Sequence, residues 1–236
     1  MDQFRPPSMF ANLPPVVKNI LIVNVLVFFA MINPAIDNLF VLHGAAYYFD
    51  SPNFRIWQLI TYAFLHGGFM HIFFNMFAVF MFGKIIEEYI GSKRFFSFYM
   101  ITAIGAILFQ MCINAYEVYK LTGSVIPYSQ NMNFSDPVLL EKVKMIYSTP
   151  TLGASGAVFG ILLAFGYLFP DVKLMIIPIP IPIKAKYLVA IYALVELGFG
   201  VTNSLSNVAH FAHIGGMIFG FILLKAWNIK RPSSFY

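Results

Sequence analysis

The run Gly153-Ala154-Ser155-Gly156-Ala157-Val158-Phe159-Gly160 decides how this chain is read. It follows a polar loop and opens an apolar stretch, so it predicts a helix whose first turn carries a serine hydroxyl. Gly156 and Gly160 are four residues apart, as are Gly216 and Gly220 in a later apolar stretch. Such small-xxx-small stripes let membrane helices approach backbone to backbone. The second stripe is led by Ala212-His213-Ile214-Gly215, and another apolar stretch carries His66, His71 and Asn75 at its head. Hydroxyl, imidazole and amide groups in hydrocarbon cost free energy unless they pair or do chemistry, so these three places are functional candidates.

The composition supports a membrane setting. The 236 residues are 59% hydrophobic, 18% aromatic and only 11% charged, with a mean hydropathy of +0.75. An average soluble domain has roughly 25% charged residues. The net charge of +5 comes from scattered Lys and Arg, which excludes the basic patch or stripe expected of a nucleic-acid binder. The single Cys112 cannot form an internal disulfide. Residues 1–15 contain Asp2, Arg5 and four prolines and lack the pattern of a cleavable signal, so they are expected to be a cytoplasmic segment. Phe4, Met9, Phe10 and Leu13 suit them to the membrane surface.

Crossing the hydrocarbon takes about 20 apolar residues, with a range near 17–25. Six stretches qualify: about Val16–Asn33, Gly68–Tyr89, Phe95–Ala115, Gly153–Phe169, Ala185–Thr202 and Val208–Trp227. The predicted fold is therefore all-α: a single polytopic domain over 16–227, followed by a short cytoplasmic tail at 228–236. Pro34 is read as ending the first span. Residues 34–66 and 116–152 read as long loops rich in turn residues, and Pro178-Ile179-Pro180-Ile181-Pro182 as an extended strap, since those prolines lack backbone donors. Counting Lys and Arg by side orients the bundle. Arg5, Lys18, Lys84, Lys93, Arg94, Lys173, Lys184, Lys186, Lys225, Lys230 and Arg231 fall on one side, against Arg55, Lys120, Lys142 and Lys144 on the other. Both termini are then cytoplasmic, both long loops external, and Ser155 and His213 lie at similar depth near the outer face.

Ser155 is a poor nucleophile unless a base takes its proton, and a histidine near neutral pH suits that task. His210 and His213 are both candidates; His213 is assigned because it immediately precedes the glycine stripe. His71 and Asn75, one helical turn apart, share a face with donors for a developing oxyanion, which the Ser155 backbone N–H at a helix start can also supply. No acidic residue is evidently placed to orient His213, whereas Phe159, one turn below Ser155, can stack on the imidazole. A Ser–His dyad is expected rather than a triad. Glu196, inside the fifth span, must find a partner there or stay protonated, and is read as a structural tie rather than a catalytic group. His43 reads as an ordinary loop residue, and Phe73-Phe74 and Phe95-Phe96 as lipid-facing or packing bulk.

These motifs together resemble the rhomboid intramembrane serine proteases. His66-xxxx-His71-xxx-Asn75, Gly153-Ala154-Ser155-Gly156 and Ala212-His213-Ile214-Gly215-Gly216-xxx-Gly220 carry the resemblance, in the right order over about residues 16–227. It implies Ser155 as nucleophile, His213 as general base, and His71, Asn75 and the backbone N–H groups around Ser155 as the oxyanion hole. By the same resemblance His66 braces the outer loop, and Glu87 ties helix ends together on the inner side. Gly153, Gly156, Phe159, Gly216 and Gly220 are supporting positions. The implied substrates are single-span or polytopic membrane proteins, cut near a small residue close to the outer leaflet, in contact with lipid and with no metal or organic cofactor. The chain is similar to the minimal bacterial form, which implies the bacterial inner membrane. It departs from the family where Trp57-Gln58 replaces a common Trp-Arg.

Two rival readings come from other classes. His66, His71, His210 and His213 could ligate a transition metal, as in a metalloprotease or metal transporter. Against that, there is no His-Glu-x-x-His motif, no Asp or Glu expected nearby, and only one cysteine. A non-proteolytic relative that escorts membrane clients would have no need to keep both Ser155 and His213.

Overall fold

In the computed structural model, residues 13–176, 179–202 and 209–232 are described, side chains at 176–180 excepted. The N-terminal surface residues Phe4, Met9 and Phe10, and most of the connection between the last two spans, lie outside them.

The chain is a polytopic bundle of helices. Helix α1 spans Pro15–Met31, α2 Pro34–Gly44, and α3 Gln58–Thr61, which runs into a single 3₁₀ turn at Tyr62–Phe64. Helix α4 (Phe69–Ala78) continues through a π turn at Val79–Gly83 into α5 (Lys84–Ile90). Then come α6 (Ser92–Thr122), α7 (Pro137–Ser148), α8 (Ser155–Leu168), α9 (Ala185–Thr202) and α10 (His210–Ala226). Strands β1 (Lys173–Ile176) and β2 (Ile179–Lys184) pair antiparallel between α8 and α9, with Leu174 opposite Ile183. The extended strap of the sequence reading is thus one arm of a hairpin.

Among the described residues, three segments are long and apolar enough to cross a membrane by themselves: Phe69–Ile90, Ser92–Thr122 and Ala185–Thr202. The apolar helices α1, α8 and α10 are shorter. At 1.5 Å per residue the 14 residues of α8 cover about 21 Å, less than the roughly 30 Å hydrocarbon core. A helix this short cannot reach both faces, so one end lies below a membrane surface.

Two expected loops hold helices. Pro34 starts α2 as well as ending the first span, because Asn33 caps it: its side chain accepts from the Ala35 N–H at 3.0 Å. Asp136 likewise caps α7 by accepting from the Val138 N–H at 2.9 Å, with Pro137 at the first helical position. His43 is therefore in the last turn of α2 rather than in a loop.

The two connections also grip each other. Ala46 and Thr151 exchange backbone hydrogen bonds of 2.8 Å. The buried Asp50 carboxylate accepts from the Tyr128 N–H (2.9 Å), the Tyr147 hydroxyl (2.6 Å), and the Ser129 N–H and hydroxyl. Burial and the neighbouring Asp50 charge push the Tyr147 and Tyr48 phenols up, so both keep their protons.

The core is built on α6, which supplies Phe95, Phe98, Tyr99, Ala103 and Ile107, all fully buried against α8 and α1. Phe95 is therefore core, whereas Phe96, Phe73 and Phe74 are exposed. At the opposite end of the bundle from Ser155, the Glu87 carboxylate accepts from the Val16 and Val17 N–H groups at 3.0 and 2.7 Å. It occupies the first turn of α1, where free N–H groups and the helix dipole favour an anion.

Candidate active site

Helices α8 and α10 meet along their glycines. A Cβ at Gly216 would overlap the Gly156 carbonyl oxygen, and one at Gly220 would lie 3.2 Å from the Gly160 Cα. The stripes pair in register, 156 with 216 and 160 with 220, so the helices run parallel and their first turns lie side by side. Ser155 opens α8 and His213 lies in the first turn of α10. The Ser155 hydroxyl and His213 Nε2 are 2.8 Å apart. Phe159 stacks flat on the His213 ring, with centroids 4.2 Å apart and planes 9° from parallel. The imidazole is thereby held by a ring on one face and by hydrogen bonds at its edges.

The turn before Ser155 brings His71 close. Gly153 has φ of 126°, and a Cβ there would stand 2.7 Å from His71 Nε2. Only glycine supplies both the backbone angle and the space. Asn75, one turn on, is buried and donates from its amide to the His71 carbonyl at 2.9 Å. His66 packs edge-on against His71 at 5.0 Å and is 2% exposed. That burial, with the His71 ring alongside, pushes its pKa down to about 3, so it carries no charge near neutral pH.

A cavity of about 420 Å³ opens between these residues. His71, Asn75, Gly153, Ser155, Gly156 and His213 line it, together with Tyr62, Met70 and Phe74. Because α8 begins at Ser155, the N–H groups of its first turn have no intrahelical acceptors. Sequence reasoning missed Tyr62. Its carbonyl accepts from the Gly153 N–H at 2.9 Å, and its hydroxyl donates to the Ala103 carbonyl at 2.6 Å. It pins the turn ahead of Ser155 to α6.

One expectation is overturned. An acidic residue does face His213: Glu196 Oε2 is 2.8 Å from His213 Nδ1 and 2.7 Å from His210 Nδ1. The sequence hid this because residues 196 and 213 sit on different helices, and spacing alone cannot say which faces meet. A signal was nonetheless present. Glu196 stands about one and a half turns before the end of α9, a depth comparable to that of His213 at the head of α10. His210, the competing candidate base, reaches Glu196 instead of Ser155. Four of the five histidines thus fall into two pairs, His66 with His71 and His210 with His213. Among the described residues, the one cluster with metal-ligand spacing is Glu196, His210 and His213, whose ligand atoms lie within 4.8 Å of one another.

Gln58 stands at the departure from Trp-Arg noted in the sequence. It is fully buried, accepts from the Arg55 N–H at 3.1 Å and the Tyr47 N–H at 3.4 Å, and donates to the Asn53 carbonyl at 3.0 Å. Trp57 donates from Nε1 to the His43 carbonyl at 2.8 Å. A neutral amide therefore ties the connection between α2 and α3 together through backbone groups.

Parallel helices sealed by glycine, with a serine, an imidazole and a hydrogen-bonding cleft at one end, define a class of membrane-embedded helical protein built around a polar site. The family model for the rhomboid domain matches residues 53–227, and the chain belongs to the rhomboid family. It is an integral membrane protein. It is 28% identical over 174 residues to "Rhomboid protein 1, mitochondrial" of Saccharomyces cerevisiae, covering 74% of this chain and 42% of that one. It is 29% identical over 180 residues to "Rhomboid protease GluP" of Bacillus subtilis (76% and 27%) and 30% identical over 195 residues to "Rhomboid protease AarA" of Providencia stuartii (79% and 61%). The chain thus spans between about a quarter and six-tenths of the length of these relatives.

Proposed function

We propose that this protein is an intramembrane serine endopeptidase that hydrolyses peptide bonds of membrane-spanning substrates. The observation that carries the reading is the 2.8 Å approach of His213 Nε2 to the Ser155 hydroxyl at the wall of a cavity that His71 and Asn75 also line. His213 takes the Ser155 proton as the hydroxyl oxygen attacks the scissile carbonyl. The tetrahedral oxyanion meets donors from His71, Asn75 and the N–H groups at the start of α8, and donors of this type lower the barrier most where charge develops. His213 then protonates the leaving amine, and water hydrolyses the acyl-enzyme by the same route. Water reaches the cavity from the face carrying α2, α3 and α7, because hydrocarbon supplies none.

The Lys/Arg count supports a cytoplasmic position for the opposite ends of the helices, with Lys93, Lys184 and Lys230, in a bacterial inner membrane or its topological equivalent. Substrate helices approach sideways from lipid, past α9 and the outer connections, and are cut near small residues where a helix unwinds at low cost. Two of the relatives are named as rhomboid proteases, which supports hydrolysis over a client-escort role.

The test is cleavage of a single-span test substrate by the purified protein in liposomes. Ser155→Ala and His213→Ala should each reduce the rate by roughly 10⁴-fold or more, since members of a nucleophile–base pair act as a unit. Cleavage that survives Ser155→Ala removes the serine-protease reading. Loss with His210→Ala but not with His213→Ala reassigns the base.

A further inference from the structure

We infer that Glu196 is a positioning residue for the base, turning the Ser155–His213 pair into a Ser–His–Glu relay that spans three helices. The inference rests on the serine-protease reading above and deepens it. Glu196 Oε2 stands 2.8 Å from His213 Nδ1, while His213 Nε2 stands 2.8 Å from the Ser155 hydroxyl. A carboxylate accepts and does not donate, so the proton between Glu196 and His213 belongs to Nδ1. That assignment leaves the Nε2 lone pair bare and facing the serine, which is the tautomer a general base needs. When His213 takes the serine proton it becomes an imidazolium, with a negative charge already 2.8 Å from its far nitrogen. Both effects act on the step in which the serine oxygen attacks. In serine proteases of unrelated fold, losing the corresponding carboxylate charge costs about 10⁴-fold, chiefly through the wrong tautomer.

His210 completes the arrangement. Its Nδ1–H donates to the same Oε2 at 2.7 Å, fixing the carboxylate from the other side. The Glu196 side chain is 13% exposed, so few waters compete for that oxygen. The contact also bears on α9. Among its described residues only Ala185, Leu188 and Val189 are buried, all near one end, and Glu196 supplies the polar link of its other half to α10. A purely structural tie would therefore produce the same distances, and the experiment has to separate the two roles. A metal ion is the other chemistry this trio could host. The 2.7 and 2.8 Å nitrogen–oxygen separations are hydrogen bonds, however, and a cation would have to displace both Nδ1 protons.

Glu196→Gln keeps the size of the side chain and its capacity to tie α9 to α10, but removes the charge. In liposomes it should lower kcat by about a hundredfold or more with KM within about twofold, and leave the melting temperature unchanged. Glu196→Asp should recover at least about tenfold of that loss. In ¹⁵N-histidine-labelled protein, the wild type should show His213 as the Nδ1–H tautomer, and Glu196→Gln should not. A Glu196→Gln enzyme with wild-type kcat, while Ser155→Ala and His213→Ala are dead, makes Glu196 a tie alone and leaves the serine-protease reading standing. Activity in Ser155→Ala sinks that reading instead. Cleavage abolished by a chelator and restored by zinc would make the trio a metal site and overturn the relay.

Discussion

The seam between α8 and α10 and the neighbouring helix α9 hold the site by opposite means. In the seam, glycines bring backbone onto backbone, and α10 buries His213, Gly215, Gly216, Met217, Gly220 and Leu224. Helix α9 turns Leu194, Leu197 and Val201 outward and buries three described residues near its start. Yet it supplies Glu196, and its Tyr192 ring meets the edge of Phe159 at 6.3 Å. The difference teaches a division of labour. Close-packed helices cannot shift without opening a void or a clash, so they fix the serine–imidazole distance. Helix α9 buries few of its described residues, so its hold on the seam depends more on individual links, and it meets α10 through a polar one.

Substitutions should divide along the same line. Gly216→Leu places a side chain where the Gly156 carbonyl oxygen sits. It should cost about 1–3 kcal/mol of stability by overpacking and slow cleavage by more than about a hundredfold, the loss expected when reacting groups move apart by an ångström. Thermal melting in detergent and the liposome assay read the two effects; a Gly216→Leu enzyme with normal rate and stability would break the account of the seam. Asn75→Ala tests the far wall of the cavity. It removes a side-chain donor without touching the seam, and should lower kcat by up to about a hundredfold while leaving melting unchanged. An equal loss in KM alone would make Asn75 a binding contact. Leu194→Ala, on the outward face of α9, should change stability by no more than about 0.5 kcal/mol and leave cleavage intact. A drop comparable to that of Gly216→Leu would mean α9 is packed as tightly as the seam.

The membrane-spanning helices were legible because hydrocarbon enforces long apolar runs, and the bounds of α9 coincide with the stretch read from the sequence. Helices α2 and α7 were not legible as helices. Their N-terminal signals, Asn33-Pro34 and Asp136-Pro137, look like turn punctuation until the capping side chain is seen to accept from the residue two on. The meeting of Ser155 with His213 could be anticipated because glycine spacing is a property of each helix alone. Glu196 could not be placed in the same way. Its partners depend on how α9 is rotated about its axis, and an outward-facing apolar helix has no periodic stripe to reveal that rotation. Gln58 was visible as a departure from Trp-Arg, but its five backbone contacts arise only when the chain from Leu42 to Arg55 wraps around it.

The most direct measurement of the central claim is labelling by a fluorophosphonate, which reports an activated serine without any substrate having to enter the membrane site. Mass spectrometry of the labelled protein in liposomes should find the adduct on Ser155 alone, and His213→Ala should abolish it while His210→Ala does not. An adduct that forms at the wild-type rate in His213→Ala, or that sits on another residue, would contradict the account.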